Sequence, residues 1–485
     1  EEMDKRDQRI KSALDTEKRA KDADESFEAL TRQERRGGNS GSDSTSTYLK
    51  GGMPLSVMTS LAGQAESHAW VNIPHVFGTP KTAKVTGITQ TNPAVVTSAN
   101  HPFVNGDEVI IYLVGGMSQV NRNTYTVANA ATDTFELSGI DATGFSAFTS
   151  LGWLTSPYSL SGMTTQMTLF ATHFRDNMPD NLITYFEFSN EGWNAIFDAF
   201  HWLAAQARAK FVGDNSYKMT GYLLAHCMKT VSDIYGPSGR SRWKGVLATF
   251  LVSAAVTNDI ISGINTYISE EAPGLTINDL VDDIAVVGYW GGNLEEAHAV
   301  ISQAWLDDSI TRFEANLEPT RYAYYNRKIN ADLYDANETG ITFSVTGLQA
   351  FWDAHKAIAD ANGLGFIQYE AGNSNALADG GLSADAEWRE FFPEGTQTTE
   401  DAANYTAMFE AFEAIGGTYP SKFTEANPVN IFGSFGALRY PGDSNPVWDA
   451  VVEYNGGNVE AEIGAGPIIT STLSLRPGID FSLVR

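Results

Sequence analysis

Apolar and polar positions alternate between strand-like and helix-like segments along most of the chain. Short runs of β-branched, aromatic and aliphatic residues occur at 69–75, 182–189, 244–250, 282–290 and 363–372, with a sixth at 429–432. Helix-like segments separate them, among them residues 53–67, 165–178, 193–209 and 347–362. Strands that alternate with helices of about 10–15 residues predict a parallel sheet. We therefore expect an α/β fold of the (β/α)8 barrel type.

A different pattern interrupts this alternation at residues 78–156. Thr, Val, Asn and Gly dominate, and short alternating strands are predicted near 83–89, 94–98, 108–113, 124–127 and 134–137. Turn signals such as Asn105-Gly106-Asp107 and Gly115-Gly116 separate them. Because helix-and-strand alternation resumes at Ser159, we interpret this segment as a small all-β module inserted in a barrel loop.

The two ends of the chain differ from the barrel region, which we assign to residues 53–77 and 157–454. Residues 1–36 are mostly charged or helix-favouring and predict an N-terminal helix, either solvated or docking into a larger assembly. Residues 37–52 are rich in Gly, Ser and Thr and are typical of a linker. Residues 455–485 form a tail whose Gly-, Ile- and Thr-rich composition favours β structure.

Composition excludes several classes of function. A formal charge of −27 over 485 residues argues against a nucleic-acid-binding surface, which needs clustered Lys and Arg. The single cysteine, Cys227, cannot form an internal disulfide. No apolar run approaches the roughly 18 residues of a membrane span, and the charged N-terminus is unlike a signal peptide. The eight histidines are scattered, so neither a metal nor a cofactor is predicted.

Two glutamates are the strongest candidates for chemistry. Glu191 follows the strand-like run 182–189, and Glu370 is predicted at the strand tip in the run 363–372. Carboxylates at the carboxyl ends of barrel strands lie where such barrels keep their active sites. A converging pair of carboxylates is the machinery of glycoside hydrolysis. Glu187 shares the inward face of the first strand, and we expect it to be a buried ion-pair partner.

These residues resemble the clan A glycoside hydrolases, which are retaining (β/α)8 barrels, and in particular a bacterial and phage-associated branch. In that clan an Asn-Glu pair ends strand four, as Asn190-Glu191 does here, and a second glutamate ends strand seven, as Glu370 does. The stretches 70–75, 174–177 and 187–194 carry the closest likeness. The resemblance implies that Glu191 is the acid/base and Glu370 the nucleophile, with carboxyl groups about 5–5.5 Å apart.

Five further residues are candidates for substrate binding. Asn190 either bonds a sugar hydroxyl, as the family's asparagine does, or forms a turn. His75 either lines the cleft or packs in the core. Tyr289 either donates a hydrogen bond to Glu370 or is a core tyrosine. Trp193 and Trp290 either stack on sugar rings or serve packing.

The inserted segment resembles a small β-barrel module that recurs in phage tail proteins and in ubiquitin-activating enzymes. His101-Pro102-Phe103, Asn105-Gly106-Asp107, Gly115-Gly116-Met117 and the segment 133–137 carry this likeness. Since nothing else in the chain suggests ubiquitin chemistry, the phage context is favoured. The resemblance implies a virion or extracellular location, an oligomeric assembly, and tail or baseplate partners held through the N-terminal helix and the module.

The chain departs from the hydrolase pattern in two places. Six strands are predicted from Ala69 onward, so strands one and two come from another polypeptide, are absent, or lie outside this sequence. Phe435 stands where the clan usually has a tryptophan. The leading hypothesis is a tail-associated hydrolase of cell-surface polysaccharide. The alternatives are a structural or receptor-binding tail protein on an inactive barrel, and a subunit that binds glycans without cutting them.

Overall fold

A computed structural model describes residues 54–77, 81–150, 152–211, 213–290, 299–331, 345, 347–373, 391, 394–422, 436–439 and 443–456. The predicted N-terminal helix 1–36, the linker 37–52, the strand 429–432, Phe435 and the tail beyond residue 456 lie outside these residues. Among the described helices, none is both long and apolar enough to cross a membrane.

In chain order, the elements are α1 (Leu55–Gln64), β1 (Ala69–Ile73), β2 (Thr82–Val85), β3 (Gly87–Ile88), β4 (Val95–Thr97), β5 (Glu108–Tyr112), β6 (Thr124–Ala128), β7 (Thr134–Leu137), β8 (Gly152–Thr155), α2 (Leu160–Asn177), β9 (Thr184–Phe188), α3 (Asp198–Lys210), α4 (Ser216–Tyr235), β10 (Trp243–Ala248), α5 (Ala254–Glu271), β11 (Asp283–Trp290), α6 (Ala299–Glu314), α7 (Ala323–Ala331), α8 (Leu348–Asn362), β12 (Gly365–Asn373), α9 (Thr399–Ala414) and α10 (Pro446–Tyr454). Three short 3-10 helices span Ser118–Val120, Pro237–Arg242 and Ile277–Asp279.

Five strands form one parallel sheet in the order β1-β9-β10-β11-β12. The order follows the chain and helices connect the strands, which confirms the predicted α/β architecture for this half of a barrel. A complete eight-stranded barrel is not formed by the described residues. β9 is buried on both faces, as expected of a strand in a covered parallel sheet. All five strands that the sequence predicts within the described residues are present.

The chain after α9 runs back beside β12 and extends the sheet locally. Ile367 and Thr418 form a parallel bridge, and the Thr418 amide donates to the carbonyl of Phe366 at 2.8 Å. The amide of Ser421 donates a 3.0 Å hydrogen bond to Oε1 of the buried Gln368 side chain. Residues 418–421 therefore occupy the position next to β12, about ten residues earlier in the chain than the predicted strand 429–432.

Helices α4 and α5 pack closely on the outside of the sheet, and two glycines permit that approach. A Cβ at Gly221 would lie 1.8 Å from the carbonyl oxygen of Ile260. A Cβ at Gly263 would lie 1.9 Å from the carbonyl oxygen of Lys218. No side chain fits at these distances, so the two backbones touch directly.

Residues 81–155 form the inserted β module. Its strands make a seven-stranded antiparallel sheet in the order β2-β8-β5-β6-β7-β4-β3. The two terminal strands, β2 and β3, are separated in the chain only by Thr86, so the sheet curls into a barrel-like shape. The module has its own apolar core. Five predicted strands correspond to β2–β7, whereas β8 was not predicted because its four residues lack clear alternation.

The module packs against α3 through buried contacts. Ile110 and Tyr112 of β5 belong to the apolar core of the parallel sheet and not to that of the module. The indole of Trp202 donates to the hydroxyl of Thr155 at 3.2 Å. Gln206 donates to the carbonyl of Ser156 at 3.1 Å and accepts from the amide of Tyr158 at 3.0 Å. The module is thus built onto the helix that follows the Glu191 loop.

Candidate active site

The loop at the carboxyl end of β9 holds Glu191 in an uncommon backbone conformation. Ser189 and Glu191 both have positive φ angles, 64° and 45°, which residues other than glycine seldom adopt. The side chain of Asn194 donates to Oε2 of Glu191 at 2.9 Å, and its amide donates to the Glu191 carbonyl at the same distance. The strained turn therefore changes the direction of the chain after β9, and Asn194 fixes the position of the Glu191 carboxylate. Such backbone strain is concentrated at functional sites.

A β-bulge sets the direction of Glu370 on β12. The register with β11 pairs Val286 with Gln368 and then Val287 with Glu370, so Tyr369 is an extra residue without a partner position. Gln368 contacts Sδ of Met408 in α9 and therefore faces the helices. Glu370 contacts the hydroxyl of Tyr289 and faces the opposite, interior side. The bulge resets the alternation, which places both Tyr369 and Glu370 on the interior side of the sheet.

The hydroxyl of Tyr289 links the two carboxylates electrostatically. It donates a 2.7 Å hydrogen bond to Oε2 of Glu370. Burial, followed by the negative charges of Glu370 and Glu191, raises the pKa of Tyr289 well above its usual value. Burial and the charges of the same two glutamates also raise the pKa of Tyr369. Glu191 and Glu370, which are 179 positions apart in the sequence, therefore lie near the same two tyrosines at one edge of the sheet.

Glu187 lies deeper on the same face. Its side chain is buried, and its Oε2 accepts a 2.8 Å hydrogen bond from the indole of Trp70 on the neighbouring strand β1. Trp70 in turn stacks on Tyr185, with ring planes 7° apart. Towards the amino ends of β10 and β11, Lys244 and Asp283 form an ion pair at 2.9 Å. The Trp70 indole is thus one partner of the buried Glu187 carboxylate, and the ion pair expected from the sequence stays a prediction.

The other predicted binding residues separate into different environments. Asn190 is exposed beside Glu191. Trp193 is buried against the ring of Tyr369, with centroids 5.7 Å apart. Trp290 is fully buried and packs edge-on against Tyr405 of α9, at 4.5 Å, so it serves packing and presents no face to a sugar. His75 packs edge-on against Trp202, and burial lowers its pKa to about 4, so it is neutral near pH 7.

A buried polar cluster that the sequence did not predict supports the end of β12. The Asn373 side chain donates to Oδ1 of Asp401 at 3.0 Å, and the Asn373 amide is bonded to the Tyr405 hydroxyl at 3.1 Å. Lys422 lies over the Tyr405 ring at 5.0 Å. Burial raises the pKa of Asp401 to about 6 and lowers that of Lys422 to about 7. In the sequence, Lys422 directly follows residues 418–421, and the apolar pattern does not predict that those residues lie beside the sheet.

No group of three or more His, Cys, Asp and Glu side chains suited to a metal ion occurs within the described residues. No protein-family model matches this chain, and no characterised protein matches it significantly.

Proposed function

We propose that this protein is a retaining glycoside hydrolase that acts on polysaccharide. The observation that carries the proposal is that Glu191 and Glu370 both lie near Tyr289 and Tyr369, with Tyr289 donating to Glu370. Glu370, as an acceptor of this hydrogen bond, is favoured in its ionised form, which is the form a nucleophile needs. Glu191 is held separately by Asn194, on a different loop.

The proposed reaction has two steps. Glu370 attacks the anomeric carbon while Glu191 gives its proton to the glycosidic oxygen, so the aglycone leaves as an alcohol and a glycosyl ester forms on Glu370. Glu191, now ionised, then takes a proton from water, and the resulting oxygen nucleophile displaces Glu370 from the sugar. Both carboxyl groups end the cycle in their starting protonation states.

A tail-associated location is the second part of the proposal. It is supported by the β module, whose antiparallel barrel-like sheet is inserted after β1 and packs on α3. Glycan binding by stacked tryptophans alone receives less support, because Trp193 and Trp290 are both buried. A structural tail protein on an inactive barrel is the remaining alternative.

The test is polysaccharide hydrolysis by the wild-type protein and by Glu191→Gln and Glu370→Gln. Bacterial surface polysaccharides are incubated with each protein, and new reducing ends are measured. We expect release by the wild type and a loss of at least about 10³-fold in either variant, since both steps need both carboxylates. Glu66→Gln, an exposed glutamate beside α1, is the matched control and should retain full activity. Hydrolysis at the wild-type rate by either active-site variant would reject the mechanism. Glycan binding by the wild type without release of reducing ends would favour the structural alternative.

A further inference from the structure

The bulged residue Tyr369 joins the two halves of the site. It directly precedes Glu370 in the chain, and its ring contacts that of Trp193, two residues after Glu191, at 5.7 Å between centroids. We propose that Tyr369 is a positioning residue that fixes the Glu191 loop against the Glu370 strand and so sets the distance between the two carboxylates. The inference rests on the proposed function and assigns to that site a residue that its sequence pattern does not identify.

The bulge gives Tyr369 a position that no regular strand residue has. In a regular strand, consecutive side chains face opposite sides, so the neighbour of an inward-facing Glu370 would face the helices. Here Tyr369 has no pairing position of its own on β11 and shares the interior side with Glu370. Its ring is buried. A bulge next to an active site re-aims a side chain in this way.

The Glu191 loop needs such a restraint. Two of its residues, Ser189 and Glu191, have positive φ angles, which cost energy unless surrounding contacts hold them. Trp193 is a buried aromatic residue of this loop, and its ring meets that of Tyr369 from β12, on the far side of β10 and β11 in the sheet. Any shift of this contact moves Glu191 relative to Glu370. A misplacement of about 1 Å at a reacting group can cost about 10²-fold in rate.

The ring of Tyr369, and not its hydroxyl, makes this contact. Tyr369→Phe therefore keeps the spacing, whereas Tyr369→Ala removes it. Phe366 offers a matched control on the same strand, because it is equally buried but faces the helices and packs on Phe412 at 5.1 Å. Phe366→Ala removes a ring of similar size without touching the site.

The test uses the leaving group to separate a displaced acid from a damaged fold. The oligosaccharide that the wild type releases is attached to a 2,4-dinitrophenyl or a phenyl group, and kcat/KM is measured for both. Departure of dinitrophenolate needs no proton from Glu191, whereas departure of the more basic phenolate does. We expect Tyr369→Ala to lower kcat/KM about 100-fold for the phenyl glycoside and only a few-fold for the dinitrophenyl glycoside. Tyr369→Phe and Phe366→Ala should show no such selectivity.

Equal losses on both substrates in Tyr369→Ala would overturn the positioning role, even if Glu191→Gln shows the selective loss that confirms the proposed function. Selective loss in Tyr369→Phe would also overturn it, because the hydroxyl would then be responsible. If Tyr369→Ala does not fold, as judged by its thermal melt, Trp193→Leu removes the other ring and is assayed in the same way. Failure of the wild type to cleave any glycoside rejects the proposed function itself, which is a different result.

Discussion

The hydroxyl of Tyr289 donates a 2.7 Å hydrogen bond to Oε2 of Glu370, and this bond connects the carboxyl ends of the neighbouring strands β11 and β12. Burial, followed by the nearby negative charges, raises the pKa of the Tyr289 donor and keeps it protonated. A carboxylate that accepts such a bond is stabilised in its charged form. Under the proposed function, the pair would hold Glu370 in the ionised form that a nucleophile needs.

Removing this donor should weaken catalysis and change its pH dependence. Hydrogen bonds to charged groups contribute about 1.5–3 kcal/mol, so we expect Tyr289→Phe to lower kcat/KM roughly 10- to 100-fold. Loss of the donor raises the pKa of Glu370, which moves the acidic limb of the kcat/KM profile to higher pH. Tyr267→Phe removes a hydroxyl that contacts His226 at 3.2 Å, away from the site, and should leave both quantities unchanged. An unshifted profile in Tyr289→Phe would contradict the assigned role.

The buried Asp401 should make stability depend on pH in the acidic range. Its pKa is raised by burial to about 6, above the value of about 3.9 expected in the unfolded chain. The folded state therefore holds this proton more tightly, and the contribution to stability is present below about pH 4 and lost as the pH rises to about 6. We expect Asp401→Asn to remove this slope in thermal melts between pH 4 and 6.5. Asp360→Asn, in an exposed pair with Lys356, is the control and should keep the slope.

Lys422 should have the opposite effect at higher pH. Burial lowers its pKa to about 7, below the value of about 10.4 in the unfolded chain. The unfolded state therefore binds this proton more tightly, so the contribution of Lys422 rises as the pH increases from about 7 to 10. Lys422→Met should flatten the melting temperature over that range, whereas Lys356→Met should not. A wild-type melting temperature that falls steadily from pH 7 to 10, with no difference in Lys422→Met, would rule out this effect.

The contact between α4 and α5 should tolerate no side chain at Gly221. A methyl group there would overlap the carbonyl oxygen of Ile260, and overpacking of this kind typically costs about 1–3 kcal/mol. We expect Gly221→Ala to lower the urea midpoint of unfolding clearly. Gly144→Ala, in the β module, meets no atom within 4 Å and should change it little. Equal urea midpoints for Gly221→Ala and Gly144→Ala would show that α4 and α5 can move apart without loss of stability.

Docking of the β module should depend on Gln206. This side chain is fully buried in α3 and satisfies one amide and one carbonyl at the end of the module. Gln206→Met preserves the approximate shape but leaves the Tyr158 amide without this acceptor, at a cost of about 1–3 kcal/mol. The Ser156 carbonyl keeps the hydroxyl of Thr155 as a donor. We expect a lower melting temperature and faster proteolysis near residues 156–158. Gln64→Met, on the exposed side of α1, is the control.

The local pattern of residues was sufficient to predict the strands but not which side of the sheet each of their side chains faces. The runs that became β9–β12 are dominated by residues that favour strands. Glu191 lies three residues beyond the end of β9, and Glu370 lies three residues before the end of β12, whereas the sequence predicted Glu370 at the strand tip. The bulge at Tyr369 depends on pairing with β11, a contact that no single run encodes. Its effect is to change which neighbours of Glu370 reach the site.

The two tryptophans show what alternation alone could have decided. Tyr289 and Trp290 are consecutive in β11, and consecutive strand residues face opposite sides. A hydrogen bond from Tyr289 to Glu370 therefore already implies that Trp290 faces the helices, as it does. The burial of Trp193 had no comparable signal, because it depends on the ring of Tyr369 from a distant strand.

The β module and the Glu191 loop share α3 as a common neighbour. Trp202 and Gln206 tie that helix to the module end, while Asn194, at the other end of the same connection, holds the Glu191 carboxylate. A displacement of α3 at the module end would consequently also shift the segment that positions Glu191. Under the proposed function, a force on the module would therefore act on the geometry of the proposed acid/base.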